Sequence, residues 1–372
     1  MVRYLLDSCV KAHKIPQGGI IMKCSAFIFI LALLRVVPAI SQVPDQPYRI
    51  LDVGHPIGLY NTFGYPAIAY SPDGSLLAVA THDGLYLCDV STWSEPRLLV
   101  EGHMLSVAFS QDGTMLAAGG HDNVVYLWDM QNENRTELRG HEDSVLSVCF
   151  SPDSQTLASG GYEGNVLFWS IEHKKEIGQL LLRRDAIYSL AYQHDGSMLA
   201  IGRYYTIDLY DTSEQQILAT LHRQYEMGPE MWILCMEFSP DDTILAAGSG
   251  DNQVELWNVS ELTRIGQLQH NGDVNFISFT PNGRQLAYGG WGPIIRAYDT
   301  VTQETIFWDW ELIQSGALAI PSGAISPDGR TLATASSEGI IAFWRMPEPV
   351  TNVQSLRRKS VMWGMLKKDV DK

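Results

Sequence analysis

The chain repeats one phrase of 21 or 22 residues seven times, and this repetition constrains the fold more than any single residue does. Steps of 39, 41, 42, 46, 41 and 46 residues separate the turn residues of successive copies. The copies occupy 69–89, 108–129, 149–170, 191–211, 237–258, 278–299 and 324–345. Such a period is typical of four-stranded propeller blades rather than of helical repeats. We therefore predict an all-β chain that forms a seven-bladed β-propeller with four-stranded antiparallel blades.

Each copy has the pattern of antiparallel hairpins. A short strand of alternating apolar residues ends in a turn such as Ser-Pro-Asp-Gly, in which Pro presets φ and Gly accepts a positive φ. A strand of small residues follows, for example Leu-Ala-Ser-Gly at 157–160, and a polar turn leads into a third strand that ends in Trp169. The small residues suit positions where neighbouring blades press together.

The copies resemble the WD-repeat family over about residues 48–346. The Trp-Asp signature is intact at Trp128-Asp129 and altered in the other copies, and Gly-His opens repeats at Gly54-His55, Gly102-His103 and Gly140-His141. Together with the leader described below, the resemblance favours a bacterial-type exported member. The Ser-Pro-Asp-Gly turns also resemble those of TolB-type propellers, although the Gly-His and Trp-Asp pairs favour the WD-repeat interpretation.

The resemblance implies a buried structural network that joins the His of a repeat to a Ser or Thr, a turn Asp and the Trp. One blade carries all four groups, with Glu in place of Asp, at His141, Ser159, Glu163 and Trp169. The preceding blade has His103, Asp122 and Trp128, but Ala118 stands where the hydroxyl belongs. Trp257 and Trp344 occupy the Trp position of two further blades. Stability is therefore expected to come mostly from apolar packing between blades.

A spare strand at the N-terminal end predicts how the ring closes. The last copy ends after its third strand at Met346, and residues 48–52 have no partner strand of their own. In the family such a strand completes the last blade, which also removes two exposed sheet edges. By strand alternation Ile50, and with it Tyr48, is expected to face inward.

The N-terminal segment has the features of a targeting signal. From Met22 a basic residue, Lys23, precedes an apolar run and small residues that fit cleavage after Ser41. The run is too short to span a bilayer, so an uncleaved anchor is the lesser alternative. We therefore divide the chain into a leader (1–41), a propeller (42–346) and a basic tail (347–372). Export to the periplasm or the extracellular space follows as an expectation, with no membrane span in the mature chain.

Charge and cysteine content narrow the classes of partner. The chain carries a net charge of −16, with +4 on the leader and +3 on the tail, so the body between them carries −23. Such a body repels phosphate backbones, which argues against nucleic-acid binding. Cys88, Cys149 and Cys235 lie in strands of different blades and are expected to be buried reduced thiols. The basic tail fits a frayed or docked segment better than a membrane-binding helix.

No catalytic motif is present in the sequence. It lacks a G-x-S-x-G sequence, an H-E-x-x-H sequence, a phosphate loop and paired-Cys zinc spacing. The Asp and Asn residues of the Ser-Pro-Asp-Gly turns are explained by turn chemistry. We therefore predict a non-enzymatic protein with no cofactor and no metal.

One repeat position points to a binding surface. In the family, the residue before the turn Asp lies on the narrow face of the ring, where the loops entering each blade meet those between its second and third strands. Five of the seven residues at this position are aromatic or imidazole side chains, which are favoured as anchors at interfaces. They are His82, His121, Tyr162, Tyr204, Gly250, Trp291 and Ser337.

Long connections strengthen the same prediction. The fourth-to-fifth connection contains Trp232 with Tyr225, Met227 and Met231, the sixth-to-seventh contains 314–321, and the first blade is entered through the aromatic segment 59–65. Asp143, Asp185 and Asp273 near other blade entrances would give the face a negative rim. Rigid scaffolds usually carry function on such loops.

Two functions from different classes remain open from the sequence. The first is a monomeric scaffold that binds a protein or peptide through the narrow face. The alternative keeps the fold but uses the central funnel as a small-ligand or catalytic pocket, as a hydrolase or a glycan-binding protein would.

Overall fold

Seven four-stranded sheets make up the part of the chain that the structure describes. The computed structural model describes residues 47, 49–52, 68–182, 185–222, 232–292, 294–306, 320–336 and 339–346. The first 14 strands are β1 (Arg49–Asp52), β2 (Ile68–Tyr70), β3 (Leu76–Ala80), β4 (Gly84–Asp89), β5 (Arg97–Glu101), β6 (Met104–Phe109), β7 (Met115–Gly120), β8 (Val124–Asp129), β9 (Arg135–Arg139), β10 (Val145–Phe150), β11 (Thr156–Gly161), β12 (Asn165–Ser170), β13 (Lys175–Leu181) and β14 (Ser189–Tyr192). The others are β15 (Met198–Gly202), β16 (Thr206–Asp211), β17 (Gln216–His222), β18 (Ile233–Phe238), β19 (Ile244–Ser249), β20 (Gln253–Asn258), β21 (Thr263–Gln269), β22 (Val274–Phe279), β23 (Gln285–Gly290), β24 (Ile295–Asp299), β25 (Glu304–Ile306), β26 (Ser322–Ile325), β27 (Thr331–Ala335) and β28 (Ile340–Arg345).

The sheets form a closed ring of blades. Blades 1 to 6 are antiparallel meanders that begin with β2, β6, β10, β14, β18 and β22, and blade 7 has the strand order β1-β28-β27-β26. Each innermost strand packs against the innermost strand of the next blade, and β26 of blade 7 packs against β2 of blade 1. The predicted seven-bladed propeller, its four-stranded antiparallel blades and its closure by an N-terminal strand are confirmed.

The closing strand turns the opposite set of side chains toward the core from the set that was expected. β1 pairs with β28 so that Leu51 lies opposite Ile341 and Arg49 lies opposite Phe343. Opposite residues of an antiparallel pair share a face, and Leu51 packs with Ile341 and Phe343 in the core between blades 7 and 1. Ile50 is 57% exposed, so the expectation that it faces inward is wrong. Tyr48 lies outside the described residues.

Small residues in the second strands allow the blades to approach one another. A Cβ atom placed on Gly119 would lie 2.6 Å from Val145 of the next blade, and one on Gly160 would lie 2.5 Å from Ile187. A larger side chain at either position would clash with the neighbouring blade. The apolar cores accordingly lie between successive blades, as the cluster of Leu85, Leu116 and Trp128 does between blades 1 and 2.

The turns between the innermost and second strands share one face of the ring, which we call the wide face. On it, successive blades touch through glycine and proline. At five boundaries a glycine with positive φ packs against the proline of the preceding blade. A Cβ atom on each of these glycines would lie 3.0–3.6 Å from the proline Cδ. The pairs are Gly74–Pro327, Gly113–Pro72, Gly196–Pro152, Gly283–Pro240 and Gly329–Pro281.

The two remaining boundaries replace both members of the pair. Blades 2 and 4 carry Gln111 and His194 instead of proline, and the blades that follow them carry Ser154 and Asp242 instead of glycine. The Asp112 N–H donates to Ser154 Oγ at 3.2 Å, and the His194 N–H donates to Asp242 Oδ1 at 2.9 Å. Ser154 and Asp242 both have a φ of 59°. A turn without proline therefore faces a turn that supplies a side-chain acceptor.

The three cysteines in the described strands are free thiols. Cys88 and Cys235 are buried and Cys149 is half-buried. Burial raises the pKa of Cys88 to about 12 and also raises the pKa of Cys149 and of Cys235. Thiolate formation at neutral pH is disfavoured at all three positions, as expected for packing residues.

Candidate interaction surface on the narrow face

Backbone hydrogen bonds place the predicted binding residues beside the loops that lead into each blade. We call these loops, which join the outermost strand of one blade to the next blade, leading loops, and the turns between second and third strands middle turns. The N–H groups of His121, Tyr162 and Trp291 in middle turns donate to carbonyls of leading loops at 2.9–3.0 Å. Both kinds of segment therefore share one face, which we call the narrow face because the resemblance to the WD-repeat family places these segments there.

The complete network of blade 3 is hydrogen-bonded throughout. His141 Nδ1 lies 2.5 Å from Glu163 Oε1, and His141 Nε2 lies 2.7 Å from Ser159 Oγ. The Trp169 indole N–H donates to Ser159 Oγ at 2.7 Å. Ser159 Oγ therefore accepts from the Trp169 indole and is also the partner of His141 Nε2. Glu163 therefore fills the role that the resemblance gives to Asp.

The structure does not join His103, Asp122 and Trp128 in the same way. The Nε2 atom of His103 is buried and has no hydrogen-bond partner among the described residues. Asp122 instead accepts a hydrogen bond of 2.6 Å from the Tyr126 hydroxyl. The physical reason is Ala118, which cannot provide the hydroxyl that Ser159 provides in blade 3.

The other two predicted Trp positions follow the same rule. In blade 7 the Trp344 indole N–H donates to Thr334 Oγ1 at 2.8 Å. In blade 5 the second strand carries Ala247 at this position, and the buried Trp257 indole N–H has no acceptor within the part of the chain that is described. A hydroxyl on the second strand thus decides whether the indole is hydrogen-bonded.

Two of the predicted binding residues, His82 and His121, belong to a row of three imidazoles. The ring of His103 lies between them, with centroid distances of 4.6 Å to His82 and 4.3 Å to His121. His121 Nδ1 also lies 2.7 Å from Ser144 Oγ in the leading loop of blade 3. We call His82, His103 and His121 the histidine row. The sequence assigned His103 to the structural network and missed its place in this row.

Tyr204 and Trp232 belong to a second group, on blades 4 and 5. Their ring centroids are 6.0 Å apart, and Trp232 lies 6.3 Å from Tyr188. Tyr205 packs edge-on against Tyr204 at 4.1 Å. Tyr188 and Tyr205 were not predicted from the sequence. Tyr188 stands at the position that Leu105 occupies in blade 2, and the two side chains pack in one apolar cluster. An alignment of the innermost strands could therefore have identified Tyr188 as a residue of this surface.

Tyr162 and Trp291 are the most exposed aromatic side chains of the predicted set. Their exposed fractions are 47% and 55%, although each is held by a backbone hydrogen bond to a leading loop. Gly250 presents no side chain, and Ser337 lies outside the described residues. The repeat position therefore yields two anchored, exposed rings, one histidine pair and one packed tyrosine.

The negative rim is partly neutralised. Arg203, in the middle turn of blade 4, forms ion pairs with Asp185 at 3.0 Å and with Asp208 at 3.1 Å. Asp143 accepts from the Ser144 N–H at 2.7 Å, and the Asp273 carbonyl accepts from the Trp291 N–H at 2.9 Å. The Asp143 and Asp185 carboxylates therefore also hold loops in place, whereas Asp273 does so through its backbone carbonyl.

Several predicted segments lie outside the described residues. They are 59–65, Tyr225, Met227, Met231 and 314–319. Where the chain is described, no group of three or more His, Cys, Asp or Glu side chains is arranged to hold a metal ion. No helix in the same ranges has the length and apolar character needed to cross a membrane.

A cavity of about 230 Å³ lies on the wide face, between blades 7 and 1. Trp93, Phe343 and the turn carboxylates Asp73 and Asp328 contribute to its lining. The Ser71 hydroxyl donates to Asp73 and the Ser326 hydroxyl donates to Asp328, and these hydrogen bonds hold the pKa of both carboxyls below the usual value. Both carboxylates are therefore ionised at neutral pH and engaged in the turns.

Three segments of the chain match the family model of the WD domain, G-beta repeat. The matched residues are 94–129, 132–170 and 218–258. They fall on blades 1 to 5 and include Trp128, Trp169 and Trp257. Together with the observed fold, these matches support a WD-repeat β-propeller.

Relatives with curated descriptions come from eukaryotes. The chain is 23% identical over 334 residues to the anaphase-promoting complex subunit cdc20 of Dictyostelium discoideum, which covers 86% of this chain and 64% of that protein. It is 27% identical to the small ribosomal subunit protein RACK1 of Schizosaccharomyces pombe over 33% of this chain and 41% of the relative. A periodic tryptophan protein 2 homolog from the same yeast is 31% identical over 31% of this chain and 13% of its own length. The chain thus spans less than two thirds of each of these relatives, and they give no support to the bacterial-type part of the prediction.

A solved structure shows the same fold. A chain in the crystal structure of a mitotic checkpoint complex superposes with a TM-score of 0.73 at 20% sequence identity. The match covers 91% of this chain and 100% of the other. At this identity the likeness concerns the fold alone.

Proposed function

We propose that this WD-repeat propeller is a non-enzymatic, monomeric scaffold that binds a protein or peptide through its narrow face. The observation that carries the proposal is the pair of exposed rings, Tyr162 and Trp291, each fixed to a leading loop by its backbone. Large aromatic side chains on rigid supports are favoured anchors at protein interfaces. The descriptions of cdc20 and RACK1 as subunits of larger assemblies support this function class.

The test removes both anchors at once. Tyr162→Ala combined with Trp291→Ala is expected to abolish capture of the partner in a crosslinking pull-down from the native source. The melting midpoint should remain that of the wild type, because both side chains are largely exposed. The matched control is Ile177→Ala with Ile265→Ala, which removes two equally exposed side chains from outermost strands. Loss of capture in the control alone would show that another face binds the partner.

The alternative, a small-ligand or catalytic pocket, would place function in the funnel near His82 and His121. A screen of glycans, metal ions and hydrolase substrates separates the two classes. A thermal shift or turnover that disappears in His82→Ala or His121→Ala would favour the pocket. No response in the screen, with capture lost in the Tyr162 and Trp291 double variant, would favour the scaffold.

We also propose that the protein is exported and that residues 1–41 are its cleaved leader. The basic residue Lys23, the apolar run and the small residues before Gln42 support this proposal. Intact-mass analysis of protein expressed in its own host should give a chain that begins at Gln42. A full-length chain in the cytosol would overturn export.

A further inference from the structure

The histidine row crosses the boundary between blades 1 and 2. His82 lies in the middle turn of blade 1, His103 in the leading loop of blade 2 and His121 in the middle turn of blade 2. One backbone hydrogen bond of 3.0 Å crosses the boundary, from the Met104 N–H of blade 2 to the Thr81 carbonyl of blade 1. A second, also of 3.0 Å, runs within blade 2 from the His121 N–H to the His103 carbonyl. The imidazoles of His82 and His103 are thus in contact beside the backbone hydrogen bond that joins the two blades. We call this boundary, with its hydrogen bond and its ring contact, the seam.

The row is built for neutral imidazoles. The buried Nε2 of His103 has no acceptor among the described residues, so a proton placed there would find no hydrogen bond. Burial, and next the imidazoles of His121 and His82, lower the pKa of His103 to about 4. Burial likewise lowers the pKa of His121. Both rings are therefore uncharged at neutral pH, and charging them together would place like charges in contact.

Carboxylates from every segment packed around the row act in the opposite direction. Asp83 lies 3.1 Å from His82 and raises the pKa of His103, and Asp122 and Asp143 raise the pKa of His121. Asp122 is also held by the Tyr126 hydroxyl, and Asp143 by the Ser144 N–H. The net direction for His103 and His121 remains downward, so these carboxylates do not compensate for burial.

We propose that the histidine row is a proton-operated switch that opens the narrow face between blades 1 and 2 in mildly acidic solution. Protonation favours the arrangement in which the rings separate into water. The pKa of His103 is lower in the folded chain, at about 4, than its ordinary value of 6.5. The closed seam is therefore fully stable above pH 6.5 and loses stability as the pH falls from about 6.5 to about 4. The effect on partner binding rests on the proposed function, whereas the opening itself does not.

Amide hydrogen exchange tests the opening without a partner. The full chain is compared at pH 7.5 and pH 5.0, with rates corrected for the intrinsic effect of pH. We expect the Met104 amide of the wild type, whose hydrogen bond crosses the boundary, to exchange about tenfold faster at pH 5.0. His103→Phe keeps a ring in the row but cannot be protonated, and should remove most of this change. His173→Asn, at an exposed histidine in the turn between the third and outermost strands of blade 3, is the matched control and should keep it.

The outcomes separate the switch from the proposed function. Equal protection of the wild type at both pH values, or an equal loss in His103→Phe, overturns the switch. If His103→Phe melts below the wild type, His103→Gln replaces it, with the same expected result. Capture of the crosslinked partner at pH 7.5 but not at pH 5.0, with a smaller difference in the variant, supports regulation of binding. If capture is equal at both pH values although amide exchange changes, the switch does not regulate partner binding. The narrow-face function is overturned only if the Tyr162→Ala, Trp291→Ala double variant still captures the partner.

Discussion

Blades 2 and 3 are neighbours built from nearly the same repeat, yet their central histidines are in different environments. In blade 3, His141 and Trp169 share the hydroxyl of Ser159, and Glu163 completes the network. In blade 2, Ala118 stands in the place of Ser159, and His103 packs against two other histidines instead. One hydroxyl therefore separates a histidine that stabilises its own blade from a histidine that connects two blades.

The comparison shows that the repeat specifies backbone and apolar packing more strictly than it specifies hydrogen bonds. Leu116 and Leu157 are fully buried at equivalent positions of the two second strands, although the polar groups beside them differ. Apolar burial contributes to every blade, whereas a single hydrogen bond contributes about 0.5–1.5 kcal/mol. A blade can thus lose its network and keep its fold, which leaves its histidine available for other contacts.

The largest effect is expected from removing the hydroxyl of blade 3. Ser159→Ala leaves His141 Nε2 and the Trp169 indole N–H without their shared partner, both in a buried site. The free energy of unfolding should fall by about 2–6 kcal/mol, because two buried groups lose their partner and each unsatisfied group costs about 1–3 kcal/mol. Chemical denaturation measures the change, with the exposed Ser213→Ala as the control. A loss of less than about 1 kcal/mol would show that blade 3 depends on its network no more than blade 2 does.

Blade 7 provides an intermediate case. Thr334→Val preserves the shape of the side chain but removes the acceptor of the Trp344 indole N–H. One buried donor is left without a partner, so the free energy of unfolding should fall by about 1–3 kcal/mol. Chemical denaturation measures this change in the free energy of unfolding, with Thr243→Val, at an exposed threonine, as the control. An effect as large as that of Ser159→Ala would mean that the number of orphaned groups does not set the cost.

The boundary of blades 2 and 3 on the wide face should respond more weakly. Ser154→Ala removes the acceptor of the Asp112 N–H and leaves a Cβ residue at a φ of 59°. We expect a loss of about 1 kcal/mol. Gln111→Pro combined with Ser154→Gly would instead create the proline–glycine contact of the other boundaries, and its thermal midpoint should lie closer to the wild type than that of Ser154→Ala. The reverse order would show that the two kinds of boundary are not equivalent.

The smallest effect is expected from giving blade 2 the residue of blade 3. Ala118→Ser places a hydroxyl at the position from which Ser159 reaches His141. It should raise the free energy of unfolding by about 0.5–1 kcal/mol if it reaches His103 Nε2. The same variant should raise the pKa of His103, because the new hydroxyl can accept a hydrogen bond from the protonated Nε2, which has no acceptor among the described residues of the wild type. A histidine titration by NMR measures the shift, and an unchanged titration would show that the row holds His103 away from strand β7.

The sequence predicted what repeats and missed what occurs once. The period and the seven blades could be read from aligned copies. The closing strand and the four groups around His141 followed from the resemblance to the WD-repeat family. Which side chains of β1 face the core could not be predicted, because both Ile50 and Leu51 are apolar in a strand of four residues. The pairing of Leu51 with Ile341 decides between them. The contacts of His103 with His82 and His121 could not be predicted either, because they join side chains from different segments of the chain.

The paired exceptions on the wide face have a consequence for how this ring could change during evolution. A blade whose turn lacks proline is followed by a blade whose turn lacks glycine, as in Gln111 with Ser154 and His194 with Asp242. Duplication, deletion or shuffling of single blades would separate these partners. A proline-containing turn would then lie beside Ser154 or Asp242, whose side chains accept hydrogen bonds from turns that lack proline. Blades 2 and 3, and likewise blades 4 and 5, are therefore inherited most safely as two-blade cassettes, whereas a cut between blades 5 and 6 rejoins compatible surfaces.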